Sequence, residues 1–191
     1  MAIQTYPQTL TVGAVDGPTL TAAAAASCIP TPNRLILPNN YFYIGKTLRI
    51  TMAGRISCAV TTPGTARFDF RTGPSGTIVA FDTGAMNLNI VAKTTIPWWL
   101  DVILTCRAIG TSTSTTLFGF GRFQSEAVIA SGLPTVSGNG SLLSSAASVS
   151  GPPAVGTGFD VTAANAVDVF FTQTVATGSM TVHNYIVEEL N

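Results

Sequence analysis

The sequence predicts an all-β chain, a jelly-roll-like antiparallel β-sandwich with an extended N-terminal arm. Three observations carry that prediction. Between Lys46 and Val60, one parity reads Leu48, Ile50, Met52, Gly54, Ile56, Cys58 and Val60, and the other Thr47, Arg49, Thr51, Ala53, Arg55 and Ser57. This period of two marks a long half-buried strand and cannot fit a helix. Similar runs follow at short intervals, separated by turn signals, with no helix–strand alternation that would indicate a parallel sheet. Strand lengths are uneven, and a long connection precedes the last pair, as a Greek-key crossing requires.

Residues 1–33 lack strong alternation and are rich in Thr, Ala and Pro. Ala22 to Ala26 invites a helix, but Thr19, Thr21 and Ser27 flank it and Pro30 stops continuation, so the segment is expected as an arm or a short helix. The sandwich is expected to fill residues 34–191 as a single domain. Leu35, Ile36 and Leu37 end at Pro38, and Asn39-Asn40 is turn chemistry. The long strand 46–60 stops at Thr61-Thr62-Pro63-Gly64. Ala66, Phe68 and Phe70 then alternate with Arg67, Asp69 and Arg71, giving an aromatic face and a charged face. Gly73-Pro74-Ser75-Gly76 breaks the run. Thr77 to Phe81 gives a short strand, Asp82-Thr83-Gly84 turns, and Met86, Leu88 and Ile90 continue the rhythm.

The second long apolar face is Trp98, Leu100, Val102, Leu104, Cys106 and Ala108. Opposite lie Trp99, Asp101, Ile103, Thr105, Arg107 and Ile109, a face too apolar to be simply wetted. After a polar loop at Thr111 to Thr116, Leu117 to Ile129 reads as one strand. Its Gly119 and Gly121 predict a bulge or a close backbone approach, with Phe118 and Phe120 on the other parity. Residues 130–158 are Gly, Ser, Ala and Pro almost throughout and hold no charge, an excursion too long for an ordinary loop. Val167 to Ala176 and Met180 to Leu190 supply the last pair. The expected total is about eight or nine strands.

Of the 191 residues, 9% are charged, nine basic against nine acidic, while 46% are apolar. Ordinary soluble proteins carry about 25% charged residues. So neutral a surface is explained by cover from copies of the chain or from other subunits; the Thr, Ser and Asn content offers the plainer alternative. The seven arginines are scattered from Arg34 to Arg122, which speaks against nucleic acid as a ligand. The longest weakly polar stretch, Leu20 to Ile29, falls short of the roughly 20 residues that cross a bilayer. No basic residue precedes Arg34, so the start does not read as a secretory leader.

Cys28, Cys58 and Cys106 form no CxxC and read as small buried hydrophobes, although a Cys58–Cys106 bridge between facing strands is conceivable. His183 is the single histidine, so one subunit cannot build a site on two His ligands. It is expected at an edge or interface, with three copies meeting at a trimer axis as a lesser reading. No GxSxG elbow and no complete phosphate loop occur. Acidic residues are scattered, and Glu188-Glu189 would point to opposite faces of a strand. Trp98 and Trp99 likewise oppose each other, which leaves Trp99 for a subunit contact or a sugar platform. Neither a catalytic centre nor a cofactor is expected.

The stretches Tyr43 to Ser57, Trp98 to Arg107, Gly121-Arg122-Phe123, Ala154 to Asp160 and Tyr185 to Asn191 resemble a group of tailed-bacteriophage virion structural proteins. The likeness spans about residues 34–191, and its motifs are turns and strand faces. It implies a virion component assembled in the host cytoplasm: a capsid decoration protein, sitting as a homotrimer on the head and touching the major capsid protein. The alternative it allows is a tail or head fibre tip that binds a host receptor or glycan, for which Asp160, Asn165 and Asn184 are candidates. Parity and composition then nominate Trp99, Ile103, Ile109, Phe118 and Phe120 between subunits. Thr5, Tyr6, Leu10, Val12 and Leu20 are the nominated arm contacts to the capsid.

Overall fold

A computed structural model describes residues 7–59, 62–131, 140–144 and 155–191, with backbone alone at 130–131 and 140–144. The described chain is all-β and antiparallel, in two sheets packed as a sandwich. The first sheet contains β1 (Gln8–Val12), β4 (Thr47–Cys58), β8 (Lys93–Ala108), β9 (Thr116–Ser125), β11 (Gly140–Ser144) and β13 (Ser179–Glu189). Its order is β1-β13-β4-β8-β9-β11. The second contains β2 (Ala25–Ser27), β3 (Leu35–Leu37), β5 (Thr65–Thr72), β6 (Ile78–Asp82), β7 (Met86–Leu88), β10 (Val128–Ser131) and β12 (Asn165–Gln173). There the order is β10-β7-β5-β12-β2, with β3 also on β12 and β6 also on β5.

The long alternating runs form the inner walls as their parity requires. Leu48, Ile50, Met52, Ile56 and Cys58 of β4 are buried, as are Trp98, Leu100, Val102, Leu104 and Cys106 of β8. From the second sheet Phe68 meets Trp98 and Phe171 at 5.2 Å between ring centres and Phe123 at 5.6 Å. Such offset and tilted ring pairs add to plain area burial. No helix among the described residues is long and apolar enough to cross a membrane.

The boundaries differ from the sequence expectation at instructive places. β8 begins at Lys93, five residues before the Trp98 where the apolar face starts, because Ile96 and Pro97 still pair with Ile56 and Arg55 at the exposed end. The single strand expected over Leu117 to Ile129 is two, β9 and β10, in different sheets. Glu126-Ala127 turns the chain between them. The glycines in β9 are a close approach: a Cβ on Gly121 would stand 2.1 Å from the Asp101 carbonyl oxygen, and one on Gly119 2.2 Å from Phe81.

The largest difference lies in residues 7–33. They are paired along the body: β1 and the residues after it follow β13, and β2 joins β12. Isolated backbone bonds replace side-chain periodicity there, so alternation could not reveal them. Much of the 130–158 excursion lies outside the described residues; within it, β11 pairs β9 from Gly140↔Gln124 to Ser144↔Phe120.

Candidate functional site

The outer surface of the first sheet gathers most of the nominated contact residues. Rows across β4, β8 and β9 read Ala53–Trp99–Gln124, Thr51–Asp101–Arg122, Arg49–Ile103–Phe120 and Thr47–Thr105–Phe118. Trp99, Ile103, Phe118 and Phe120 therefore share one face, and Ile103 stands opposite Phe120, which is 49% exposed. Ile109 does not join them. The register slips between Cys106 and Ala108, β8 ends there, and Ile109 lies in the following loop at the end of the sandwich. Gly45 N–H bonds the Cys106 carbonyl at 2.9 Å, which places the exposed Tyr43 and Ile44 at that same end.

The charges on this face are organised around its rings. Arg49 grips Asp101 with two bonds of 2.9 Å. Arg122 lies 4.5 Å above the Trp99 ring and Arg107 4.9 Å above that of Phe118, geometry in which the guanidinium is drawn to the aromatic quadrupole. Two shallow grooves open here. One of about 340 Å³ is bordered by Pro97, Trp99, Gln124 and Glu126, and one of about 230 Å³ by Asp101, Ile103, Phe120 and Arg122.

Of the nominated arm residues, Leu10 and Leu20 are half-buried against the core and Val12 is 52% exposed. Thr5 and Tyr6 lie outside the described residues. Among the glycan candidates, Asn165 is buried, its amide spent on the carbonyls of Asp160 and Ala163. Asp160 caps the adjacent turn by accepting from Thr162 N–H and Oγ1, which holds its carboxyl below the usual range. Asn184 stands apart from both, on β13 opposite Ala53.

Three polar clusters outside this face were only partly legible. On the outer side of the second sheet, Arg67 and Arg71 flank the fully buried Asp69, and Arg67 also reaches Asp82. The alternation showed Arg67, Asp69 and Arg71 together; the facing Asp82 follows from hairpin register, which a turn at residues 73–76 would have suggested. Burial pushes Asp82 up, the Asp69 charge adds to that, and the Gly84 N–H bond opposes it. With Asp69 sealed by two guanidiniums and Asp82 sharing one of them, the facing carboxylates form an ion-pair ladder.

Nearby, Asp168 accepts from Ser27 Oγ at 2.7 Å and pairs with Arg34 at 3.0 Å. Burial is the chief cause that raises its pKa, against the pull of Ser27 and Arg34. Under the first sheet, the buried Lys46 bonds Glu189 at 2.7 Å, and Tyr41 Oη also donates to Glu189.

His183 is the extra residue of a β13 bulge and pairs through Nδ1 with Asp16 at 2.9 Å. Among the described residues no group of three His, Cys, Asp or Glu is placed to hold a metal ion. The three thiols are unpaired and buried, so the conceivable Cys58–Cys106 bridge is not formed. Cys58 instead lies by the Asn89 carbonyl and Cys106 by that of Ala108.

Set against models of known protein families, curated proteins and solved structures, the chain matches none of them.

Proposed function

We propose that this chain is a virion structural protein of a tailed bacteriophage: a capsid decoration protein that sits on the head as a homotrimer and cements neighbouring capsomers through the major capsid protein. The observation that carries the reading is the outer face of the first sheet, where the half-buried Ile103 pairs in register with the exposed Phe120. A sheet face with aromatic rings and stacked arginines has the make-up of a subunit contact, where aromatic residues and Arg are enriched. The low charge content agrees with surface that other protein covers. Several connections, among them β4 to β5, β7 to β8 and β12 to β13, cross between the sheets, which supports a jelly-roll-like reading of the sandwich, with residues 1–33 as its arm. In this reading the protein is made in the host cytoplasm, ends on the capsid surface, and does no catalysis.

A second reading, a tail or head fibre tip that binds a receptor glycan, is favoured by the groove along Trp99, Gln124 and Glu126. A ring beside an amide and a carboxylate joins an apolar platform to the few polar groups that orient a small ligand.

Sedimentation of the purified chain, followed by titration onto undecorated heads, tests the first reading. A trimer that raises the thermal rupture point of the heads is expected. Phe120→Glu should weaken self-association by about thirtyfold, the effect of losing an anchor worth about 2 kcal/mol. A monomer that leaves the rupture point unchanged overturns it. Copies confined to the tail of purified particles would favour the fibre reading.

A further inference from the structure

We propose that residues 8–20 are an exchangeable edge strand, which in the assembled protein pairs with β13 of a neighbouring copy. The inference rests on the homo-oligomeric reading above and names the device that joins the copies.

β13 uses one side for β4 along its whole length, and residues 8–20 cover the other. The pairing runs Gln8↔Glu189, Thr9↔Glu188, Thr11↔Val187 and Val12↔Ile186. Gly13 N–H then donates to the Tyr185 carbonyl at 2.6 Å and Gly17 N–H to that of Val182 at 2.8 Å. Leu20 exchanges both bonds with Met180, at 2.8 and 3.0 Å. Backbone bonds of this kind read an edge, not the identity of the chain that brings the strand. An identical β13 on a second copy offers the same acceptors in the same register, the condition under which exchange of an element is a low-cost route to an oligomer.

Apart from Leu10 and Leu20, which pack half-buried against the core, side chains hold this segment weakly. Val12 and Val15 are 52% and 59% exposed, and its one fully buried residue, Gly17, has no side chain. Its polar clasps are Thr19 to Thr181 at 2.9 Å, Asp16 to His183 at 2.9 Å, Asn33 Nδ2 to the Val12 carbonyl at 2.9 Å and Thr11 Oγ1 to the Asn33 carbonyl at 3.4 Å. Each can be remade on a neighbour. Segments with so little buried area open at small free energy.

The chain beyond is built differently. Cys28 and Ile29 are 0% and 1% exposed, and Cys28 N–H is pinned to the Val169 carbonyl at 2.9 Å. Between the weak segment and this anchor, residues Thr21 to Ala25 are all exposed and, before β2, in no strand. Without a proline among Thr21 to Ala24, that hinge can straighten to about 14 Å. A fixed anchor, a small-residue hinge and a strand held by its backbone are the parts that exchange requires.

The adjacent hydroxyls of Thr19 and Thr181 give the test. Chains bearing Thr19→Cys and chains bearing Thr181→Cys, of different mass, are co-expressed and oxidised; the buried native thiols do not compete. A reductant-sensitive heterodimer on a non-reducing gel is expected, as are interchain multimers from the double variant T19C/T181C. A double variant that closes only within its own chain, while the unmodified protein sediments as an oligomer, overturns exchange and leaves the oligomer standing. A double variant that forms no disulfide denies the Thr19–Thr181 contact and overturns exchange too. Sedimentation of the unmodified protein as a monomer overturns exchange and the oligomer together.

Discussion

Asp69 and Asp82 stand directly opposite one another on β5 and β6, and one guanidinium, that of Arg67, lies 2.9 Å from the first and 3.2 Å from the second. Facing like charges destabilise a strand pair, so the arrangement depends on its cations. Asp69→Asn should cost about 3 kcal/mol, the low end for breaking a buried ion pair because Arg67 is partly exposed. Asp82→Asn removes the repulsion and should change stability by no more than about 0.5 kcal/mol. Urea midpoints of the two variants would decide; equal losses would refute the ladder.

Asp82 and Asp168 also set a pH dependence. Both titrate above the ordinary 3.8, and burial is the main cause in each. The folded state therefore holds these protons more tightly than the unfolded chain. Their contribution favours the fold at acid pH and is lost as pH rises through the folded pKa. Asp168→Asn should flatten the fall in stability over the pH window just above the ordinary carboxylate range. Parallel unfolding curves for variant and parent across that window would contradict the assignment.

Lys46 and Glu189 are a pair in which both side chains are below 10% exposed, at 7% and 9%. Lys46→Met takes the ammonium from beside a buried carboxylate and should cost about 3–5 kcal/mol. Changing Glu189→Leu as well should recover most of it, since well-packed apolar residues replace buried pairs at little cost. Chemical denaturation of both variants reads the difference, and a double variant no better than the single one would speak against it.

Gly119 gives a packing test. A Cβ there would meet Phe81 at 2.2 Å and Leu104 at 2.7 Å, both side chains of the core. Gly119→Ala should cost about 1–3 kcal/mol, as overpacking does. Adding Phe81→Leu should restore part of the loss in melting temperature; no restoration would place the strain elsewhere.

The parity of β4 and β8 was legible because each strand buries every second residue over a long run, β4 throughout and β8 from Trp98 to Cys106, so a period of two is written into them. The shared face of Trp99, Ile103, Phe118 and Phe120 followed from the same rule. Ile109 did not, because parity holds only while register does, and the slip after Cys106 carries no compositional mark. β1 and β2 were illegible for another reason: an edge strand held by backbone bonds need not alternate. The opposition of Asp69 and Asp82, and the seat of Arg122 on Trp99, belong to pairs of strands and are not properties of either segment alone.

The positions of β12 and β13 constrain how the molecule is made. β13 fits between β1 and β4, and β12 between β5 and β2, so both sheets wait for strands made more than a hundred residues after β4. A nascent chain on the ribosome must carry β4 and β5 with bare flanks until β12 and β13 emerge. Such distant pairing folds slowly and invites wrong partners. Stop codons placed before or within β12 and β13 should therefore yield inclusion bodies instead of a trimmed but native product.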